Sequence, residues 1–251
     1  ASWTRGFASG VFNARAATLD AVGPTDPEEV DSFEVGFKTS FLGGRGNLSL
    51  AYFMADYEDL IMFVNNPCDD CGASLINFNA GEAEISGFEA EMQFQVTDRL
   101  RIDGSLGTVD PEFTNIKYFD ANADGVVNDQ DNQLARTWDF QKVTELSYSL
   151  AAMYDFDLAG GAALMGRVAY SWRDDYMTDL YNKPWLQQES FGLLDASLTY
   201  TSPSEKVRVS VYGKNLSDEE YFDYAADVGA LDSARWGGAP RTYGVRVSYR
   251  Y

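Results

Sequence analysis

Residues 120–131 read DANADGVVNDQD, a run in which side-chain oxygens recur at alternate positions. In an EF-type loop the ligands stand at positions 1, 3, 5, 7, 9 and 12, the seventh through its backbone carbonyl, and a Gly at 6 makes the sharp turn. Here those positions are Asp120, Asn122, Asp124, Val126, Asn128 and Asp131, with Gly125 at the turn and the apolar Val127 at position 8. Position 12 is Asp, where the EF-hand carries a bidentate Glu. Hard oxygen donors at this spacing suit Ca²⁺ better than a transition metal. A solvated acidic loop would imitate the carboxylate spacing, but acidity explains neither Gly125 nor Val127. The expectation is a structural Ca²⁺ that shapes a loop, although the sequence around it shows none of the usual flanking helices.

Other chemistry is scarce. Histidine is absent, so this chain alone cannot build Ser-His-Asp or Cys-His nucleophile systems, or His-bearing zinc sites. The chain is not expected to be an enzyme. Cys68 and Cys71 lie in NPCDDCGAS; a C-x-x-C pair can be a redox motif, half a metal site or a short disulfide. A disulfide from Cys68 to Cys71 that tightens a loop is the preferred reading, and it implies an oxidising compartment. Glu89 and Glu91 are two apart and would share a strand face, as an acid-base pair would. Water-facing charge on a strand is the simpler account of them, and of Arg167 and Arg173.

These residues have to be positioned by strands. The C-terminal RTYGVRVSYRY places Tyr243, Val245, Val247, Tyr249 and Tyr251 on one face and Thr242, Gly244, Arg246, Ser248 and Arg250 on the other. The same alternation sets Phe88, Ala90, Met92, Phe94 and Val96 against Glu89, Glu91, Gln93 and Gln95, and Leu194, Ala196, Leu198 and Tyr200 against Asp195, Ser197 and Thr199. Similar runs fill 32–41, 145–156, 164–173 and 207–214, which gives roughly ten strands. No window approaches the roughly 18 consecutive apolar residues of a membrane helix. With 39 acidic against 19 basic side chains and a net charge of −20, a nucleic-acid partner is not expected.

The connections fall into two kinds. LGGRGN, TDR, DLAGG and TSPSEK are tight, whereas residues 14–30, 64–80, 113–140, 177–189 and 224–238 read as long connections. A transmembrane barrel sorts its loops this way, with short periplasmic turns and long extracellular loops. The fold class is therefore all-β, an antiparallel transmembrane β-barrel. Alternate residues would meet lipid, the Glu, Gln, Arg and Lys faces would line an aqueous or plugged lumen, and the calcium loop would be extracellular.

The residues also carry a family resemblance. TRGFASGVFN, DPEEVDSFEVGFKTSFLGGRGNLSLAYFMADYEDLI, NAGEAEISGFEAEMQFQVTDRLRIDGSLG, GKNLSDEEYFDYA and GAPRTYGVRVSYRY together resemble the C-terminal half of the barrel of TonB-dependent outer-membrane receptors. The calcium run resembles the shorter dockerin-type loop, which also uses Asp at its last position. The receptor resemblance implies that residues 1–251 are about the last ten strands of a 22-stranded barrel, with the N-terminal plug and the remaining strands outside this chain. The opening ASWTRGF, with no initiating Met, fits that expectation. The family implies integral residence in the outer membrane of a Gram-negative bacterium and TonB-dependent uptake of a ferric siderophore, vitamin or glycan. A small passive pore, or a structural barrel subunit in a surface complex, is the alternative.

The implied partners are the TonB system through an absent N-terminal region, outer-membrane lipids, the barrel assembly machinery through the C-terminal strand, a small-molecule or glycan ligand, and a surface lipoprotein. Aromatics in the long connections are ligand candidates: Tyr118, Trp138, Tyr181, Trp185 and Trp236, with Phe119 and Tyr224 beside them. Packing in a loop or in the interfacial girdle is the plainer role for any one of them.

Overall fold

The computed structural model describes residues 1–14, 16, 22–68, 72–116, 121, 126, 128–180, 182–227 and 233–251. Its strands are β1 (Ser2–Ala8), β2 (Glu28–Phe41), β3 (Gly46–Cys68), β4 (Gly72–Gln95), β5 (Leu100–Ile116), β6 (Leu146–Asp157), β7 (Ala163–Arg173), β8 (Tyr176–Met177), β9 (Gln187–Gln188), β10 (Phe191–Thr201), β11 (Val207–Lys214), β12 (Phe222–Asp227), β13 (Ser233–Gly237) and β14 (Thr242–Tyr249). One sheet of ten strands runs in the order β1-β2-β3-β4-β5-β6-β7-β10-β11-β14, while β8 with β9 and β12 with β13 form separate two-stranded ribbons. The expected ten spanning strands are therefore present as one antiparallel, partial barrel wall. No helix among the described residues is long and apolar enough to cross a membrane.

Register turns the alternation into two continuous surfaces. Phe37, Leu50, Ala90, Leu106, Tyr148 and Trp172 are successive partners across β2 to β7. One position along, Lys38, Ser49, Glu91, Ser105, Ser149 and Ser171 are partners across the same strands. The period of two places the rows on opposite faces. Phe37, Leu150, Val168, Val245 and Val247 are each exposed on the apolar face, which is far more apolar surface than a water-facing sheet tolerates. β7 and β10 are 11 residues each. At ~3.4 Å per residue and ~40° tilt such a strand rises about 28 Å, which matches the apolar band of an outer-membrane barrel.

The short turns follow from their residues. In Leu42–Gly44 and Ala159–Gly161 the glycines carry the chain through positive φ, 68° at Gly43 and 80° at Gly160, where a Cβ would be strained. Thr97 Oγ1 accepts the N–H groups of Arg99 and Leu100, and Ser202 Oγ accepts that of Val207.

Two expectations change. Residues 64–80 read as a loop, but the backbone is mostly strand. β3 and β4 pair from Leu60–Gly81 to Cys68–Gly72, and β4 meets β5 only from Gly81 onward. The hairpin thus continues as a two-stranded ribbon beyond the sheet, each strand satisfying the other's backbone groups. The calcium run also ends in a helix: α1, Asp129–Ala135, begins within its last three residues. Asn128 caps it, its side chain accepting the Gln130 N–H at 2.8 Å, while Asp131 Oδ2 accepts the Asn128 N–H at 2.9 Å. This reciprocal capping box was legible as Asn-x-x-Asp before a helix-forming stretch.

A small core lies at the end of the sheet that bears the long connections. Phe113, Ile116, Ala83, Ala80 and Met62 from β3 to β5 enclose Ala135 of α1 and Leu180, with Trp138 and Phe140 packed against them. Phe113 and Phe140 stack at 3.9 Å. The helix is pinned to β5 as Ile116 N–H donates to Asn132 Oδ1 at 3.0 Å and Arg136 Nε to the Phe113 carbonyl at 3.1 Å.

Candidate functional site

Two long connections rest on the core, through Ala135 and Leu180, and hydrogen bonds stitch them to each other and to a third. Asp139 and Asn182 bond reciprocally, Asp139 N–H to Asn182 Oδ1 at 2.6 Å and Asn182 Nδ2 to the Asp139 carbonyl at 3.0 Å. Lys142 N–H donates to the Met177 carbonyl, and buried Thr178 donates its hydroxyl to the Leu186 carbonyl at 2.6 Å. The 215–241 connection is tied in by Gln188, whose Oε1 accepts the Phe222 N–H at 2.8 Å, and by Tyr176, whose hydroxyl donates to the Phe222 carbonyl at 3.1 Å.

What these bonds assemble is an aromatic and cationic mouth. Tyr224 and Trp236 are cross-strand partners on β12 and β13 with ring centroids 5.2 Å apart. The Lys142 ammonium sits 4.5 Å above the Tyr224 ring, and the Arg235 guanidinium 5.0 Å above Phe222. Arg235 also donates to the Trp185 carbonyl at 2.8 Å. Trp185 is 50% exposed and Trp236 51%. Half-exposed indoles on segments that also carry Lys142 over Tyr224 and Arg235 over Phe222 offer flat apolar contact and positive charge at one mouth, a combination suited to an anionic ligand with planar groups.

Below the mouth, on the polar face, lies a cavity of about 400 Å³. Glu89, Glu91, Ser105, Ser149 and Arg173 line it, with Tyr221 and Asp223 reaching over from the 215–241 connection. Phe191 and Tyr221 stack at 4.4 Å, and Arg173 lies 5.7 Å from the Phe191 ring. A larger hollow of about 760 Å³ lies between Tyr154, Val168, Leu198, Val211 and Val245, but on the apolar face. That surface suits lipid, not solute, so the polar cavity is the relevant one.

Of the residues expected to act, Trp236 pairs with Tyr224, and Trp185 is tied to the same ribbon through its carbonyl, which accepts from Arg235. Trp138 packs on the core around α1. Tyr118, Phe119 and Tyr181 lie outside the described residues. So do Asp120, Asn122, Asp124, Gly125 and Val127 of the calcium run. Of its remaining members, the Val126 carbonyl accepts from Asn128 Nδ2 at 3.0 Å, and Asp131 is fully buried. Cys71 likewise lies outside the described residues. The polar-face placement of Glu89, Glu91, Arg167 and Arg173 follows directly from the register. Lys142, Arg235 and Phe222 were not foreseen; the Arg-Trp pair in ARWGG was the one local signal.

Tyr176 sets an alkaline limit on this arrangement. Desolvation by burial pushes its phenol above the ordinary value, partly offset by Arg173. A raised folded pKa means that the unfolded chain ionises first, so the stability contribution is complete below about pH 10 and is lost as pH rises further. Tyr176→Phe, which deletes the bond to the Phe222 carbonyl, is expected to cost about 1 kcal/mol. It should also flatten the loss of 215–241 order above pH 10, as followed by hydrogen exchange or Trp fluorescence.

Residues 1–216 match the family described as TonB dependent receptor-like, beta-barrel. The chain belongs to that family. Among similar proteins is a probable TonB-dependent siderophore receptor, PiuA of Acinetobacter baumannii, 26% identical over 80% of this chain and 24% of that protein. Another is the ferripyoverdine receptor of Pseudomonas aeruginosa, 24% identical over 84% of this chain and 24% of that protein. The crystal structure of the ferric yersiniabactin uptake receptor FyuA from Yersinia pestis superposes with a TM-score of 0.76 at 21% identity, covering 98% of this chain and 34% of that one. The chain thus spans about a quarter of the curated relatives it matches. For a TonB-dependent receptor barrel the ends are oriented: the aromatic mouth is extracellular and the polar face is lumenal. Membership in a receptor family also agrees with the expectation that the chain is not an enzyme.

Proposed function

We propose that this chain is the C-terminal part of a TonB-dependent receptor barrel, integral to the outer membrane of a Gram-negative bacterium, and that the receptor takes up a ferric siderophore or related metal chelate. The observation that carries the substrate reading is the stitched mouth of Trp185, Trp236, Tyr224, Lys142 and Arg235 above a polar lumenal cavity. The siderophore receptors among its relatives support the same choice over a vitamin or a glycan. Energy would come from the TonB system through an N-terminal plug region, and β14 would present the barrel to its assembly machinery. A surface lipoprotein over the mouth is compatible with this arrangement.

The test is uptake of ⁵⁵Fe-loaded chelates by cells carrying the full receptor, with and without TonB. Trp185→Ala together with Trp236→Ala is expected to weaken chelate binding at least ~10-fold, since exposed Trp anchors of this kind carry about 1–2 kcal/mol or more each. Flux that persists unchanged without TonB would instead favour the passive pore, and no flux at all the structural subunit.

Calcium and the disulfide belong to this proposal. Asp120, Asn122, Asp124, the Val126 carbonyl, Asn128 and Asp131 would hold one Ca²⁺ as a structural clamp at the start of α1, the last three through the oxygen lone pairs that the helix cap leaves over, and Cys68 with Cys71 would close the hairpin tip. Both fit an oxidising, extracellular setting, where such calcium sites bind at about 10⁻⁴–10⁻³ M. Chelation by EGTA, or Asp124→Ala, is expected to expose the 117–128 segment to protease. Equal cleavage with and without Ca²⁺, and no calorimetric binding, would leave a merely solvated acidic loop.

A further inference from the structure

The last long connection is knotted at its base. Asn215 follows β11 directly, with φ of 49° and only 4% exposure. A short polar side chain tolerates this left-handed backbone. Gly would serve the turn equally, so the buried amide has further work. Asn215 Nδ2 donates to the Glu219 carbonyl at 2.9 Å and to the Ala239 carbonyl at 3.2 Å, while Oδ1 accepts the Glu219 N–H at 2.9 Å. Its backbone N–H donates to Asp195 Oδ1 at 2.9 Å, and the Leu216 N–H to the Leu194 carbonyl at 2.7 Å. Glu219 lies on the outgoing limb of the connection, Ala239 on the returning limb and Asp195 on β10. One residue therefore joins both limbs to each other and to the sheet.

Tyr221 closes the knot from the other side. Its carbonyl accepts the Gly238 N–H at 2.8 Å and its hydroxyl the Ala239 N–H at 3.2 Å. The ring lies flat enough on Gly238 to leave no room there for a Cβ. Just beyond the knot is the ribbon of β12 and β13. Trp236 is two residues from Gly238 and Tyr224 three from Tyr221, about 7–10 Å along extended chain. The bonds to Tyr176, Gln188 and Trp185 join this ribbon to a neighbouring connection; those of Asn215 join its base to the sheet.

We propose that Asn215 is a positioning residue for the mouth: its side-chain amide fixes the direction in which the 215–241 connection leaves the sheet, and so holds Tyr224 against the Lys142 ammonium with Trp236 beside it. This rests on the reading of the mouth as the chelate-binding surface and adds the residue that sets its geometry.

The experiment reads geometry without ligand. Asn215→Gly keeps the turn and removes the amide, whereas Asn215→Asp keeps the shape and puts an oxygen where the Glu219 and Ala239 carbonyls need a donor. Tyr221→Phe deletes only the side-chain bond from Ala239. Each is made in the full receptor labelled with fluorotryptophan, the signals of Trp236 and of Trp172 on β7 being assigned by Trp236→Phe and Trp172→Phe. Both Asn215 variants are expected to shift the Trp236 fluorine resonance and to leave that of Trp172 in place. Hydrogen exchange over 220–227 and 233–238 should quicken about tenfold, as the loss of one or two hydrogen bonds allows. Tyr221→Phe should move Trp236 in the same direction by less, and it decides the matter if neither Asn215 variant assembles. A Trp236 signal unmoved by Asn215→Gly, or by Tyr221→Phe in that second case, would leave Asn215 as a turn residue only. Equal shifts at Trp236 and Trp172 would mean that it holds the sheet and not the mouth. Uptake of a ⁵⁵Fe tris-catecholate tests import separately: half-saturation should rise about tenfold in Asn215→Gly with the maximal rate kept. No uptake by the unaltered receptor would count against the import reading and leave the geometry as measured.

Discussion

Phe113→Ala is expected to unfasten the extracellular mouth while the sheet stays paired. The ring is 1% exposed, stacked against Phe140 at 3.9 Å with 14° between planes, and enclosed by Met62, Ala83, Ile116, Ala135 and Leu180. Removing a buried Phe from such packing costs about 3–5 kcal/mol. The loss falls on one place. β5 remains in register with β4 over most of its length and with β6 from Leu100 to Thr108, whereas α1 and the 136–145 segment depend on this ring and a few bonds. Hydrogen exchange should quicken over 128–145. It should then quicken over 174–190, because Asp139–Asn182 and Lys142–Met177 link the two. Chelate affinity should fall although no residue of the mouth has changed. Unchanged exchange in both segments would mean that the hydrogen bonds hold the mouth without the core.

That dependence explains why the wall was legible in the sequence and the mouth was not. Every membrane-spanning strand separates lipid from water, so its residues had to alternate, and ten strands with sorted turns could be read from that contrast. Beyond the bilayer the contrast disappears. The ribbon of 60–68 with 72–80 is defined by mutual pairing, not by two solvents, and NNP with two further Asn nearby reads as loop. Asn128 and Asp131 were legible as oxygen donors, and that reading concealed a helix cap made of the same atoms. Arg235 meets the Trp185 carbonyl across 50 residues, and Lys142 meets Tyr224 across 82, counting 224 less 142. Neither approach leaves a periodic trace, because each depends on how two connections pack on one core and a third is bonded to them.

Gly87→Val should do the opposite of Phe113→Ala and damage the wall itself. A Cβ at Gly87 would press on the Thr108 carbonyl oxygen and stand 2.5 Å from the Phe53 ring, which lies over the glycine from β3. Both obstacles belong to the sheet: a carbonyl in the β4–β5 ladder and a ring in the next strand. Overpacking of this kind costs about 1–3 kcal/mol, and a fixed backbone atom puts this site at the upper end. Receptor bearing Gly87→Val is expected to reach the outer membrane in much reduced amount and to lose the heat-resistant gel mobility of a closed barrel. Gly104→Ala provides the contrast, since its Cβ would meet only ordinary contacts at 3.7 Å and beyond and should be near neutral. Phe53→Ala combined with Gly87→Val separates the two obstacles. If the ring were the main one, the pair would recover full assembly; because the carbonyl cannot turn aside without breaking its strand pairing, recovery is expected to be partial. Full recovery would show that β4 and β5 can part slightly at this point, and the glycine would then be there to seat Phe53 and not to let two backbones approach.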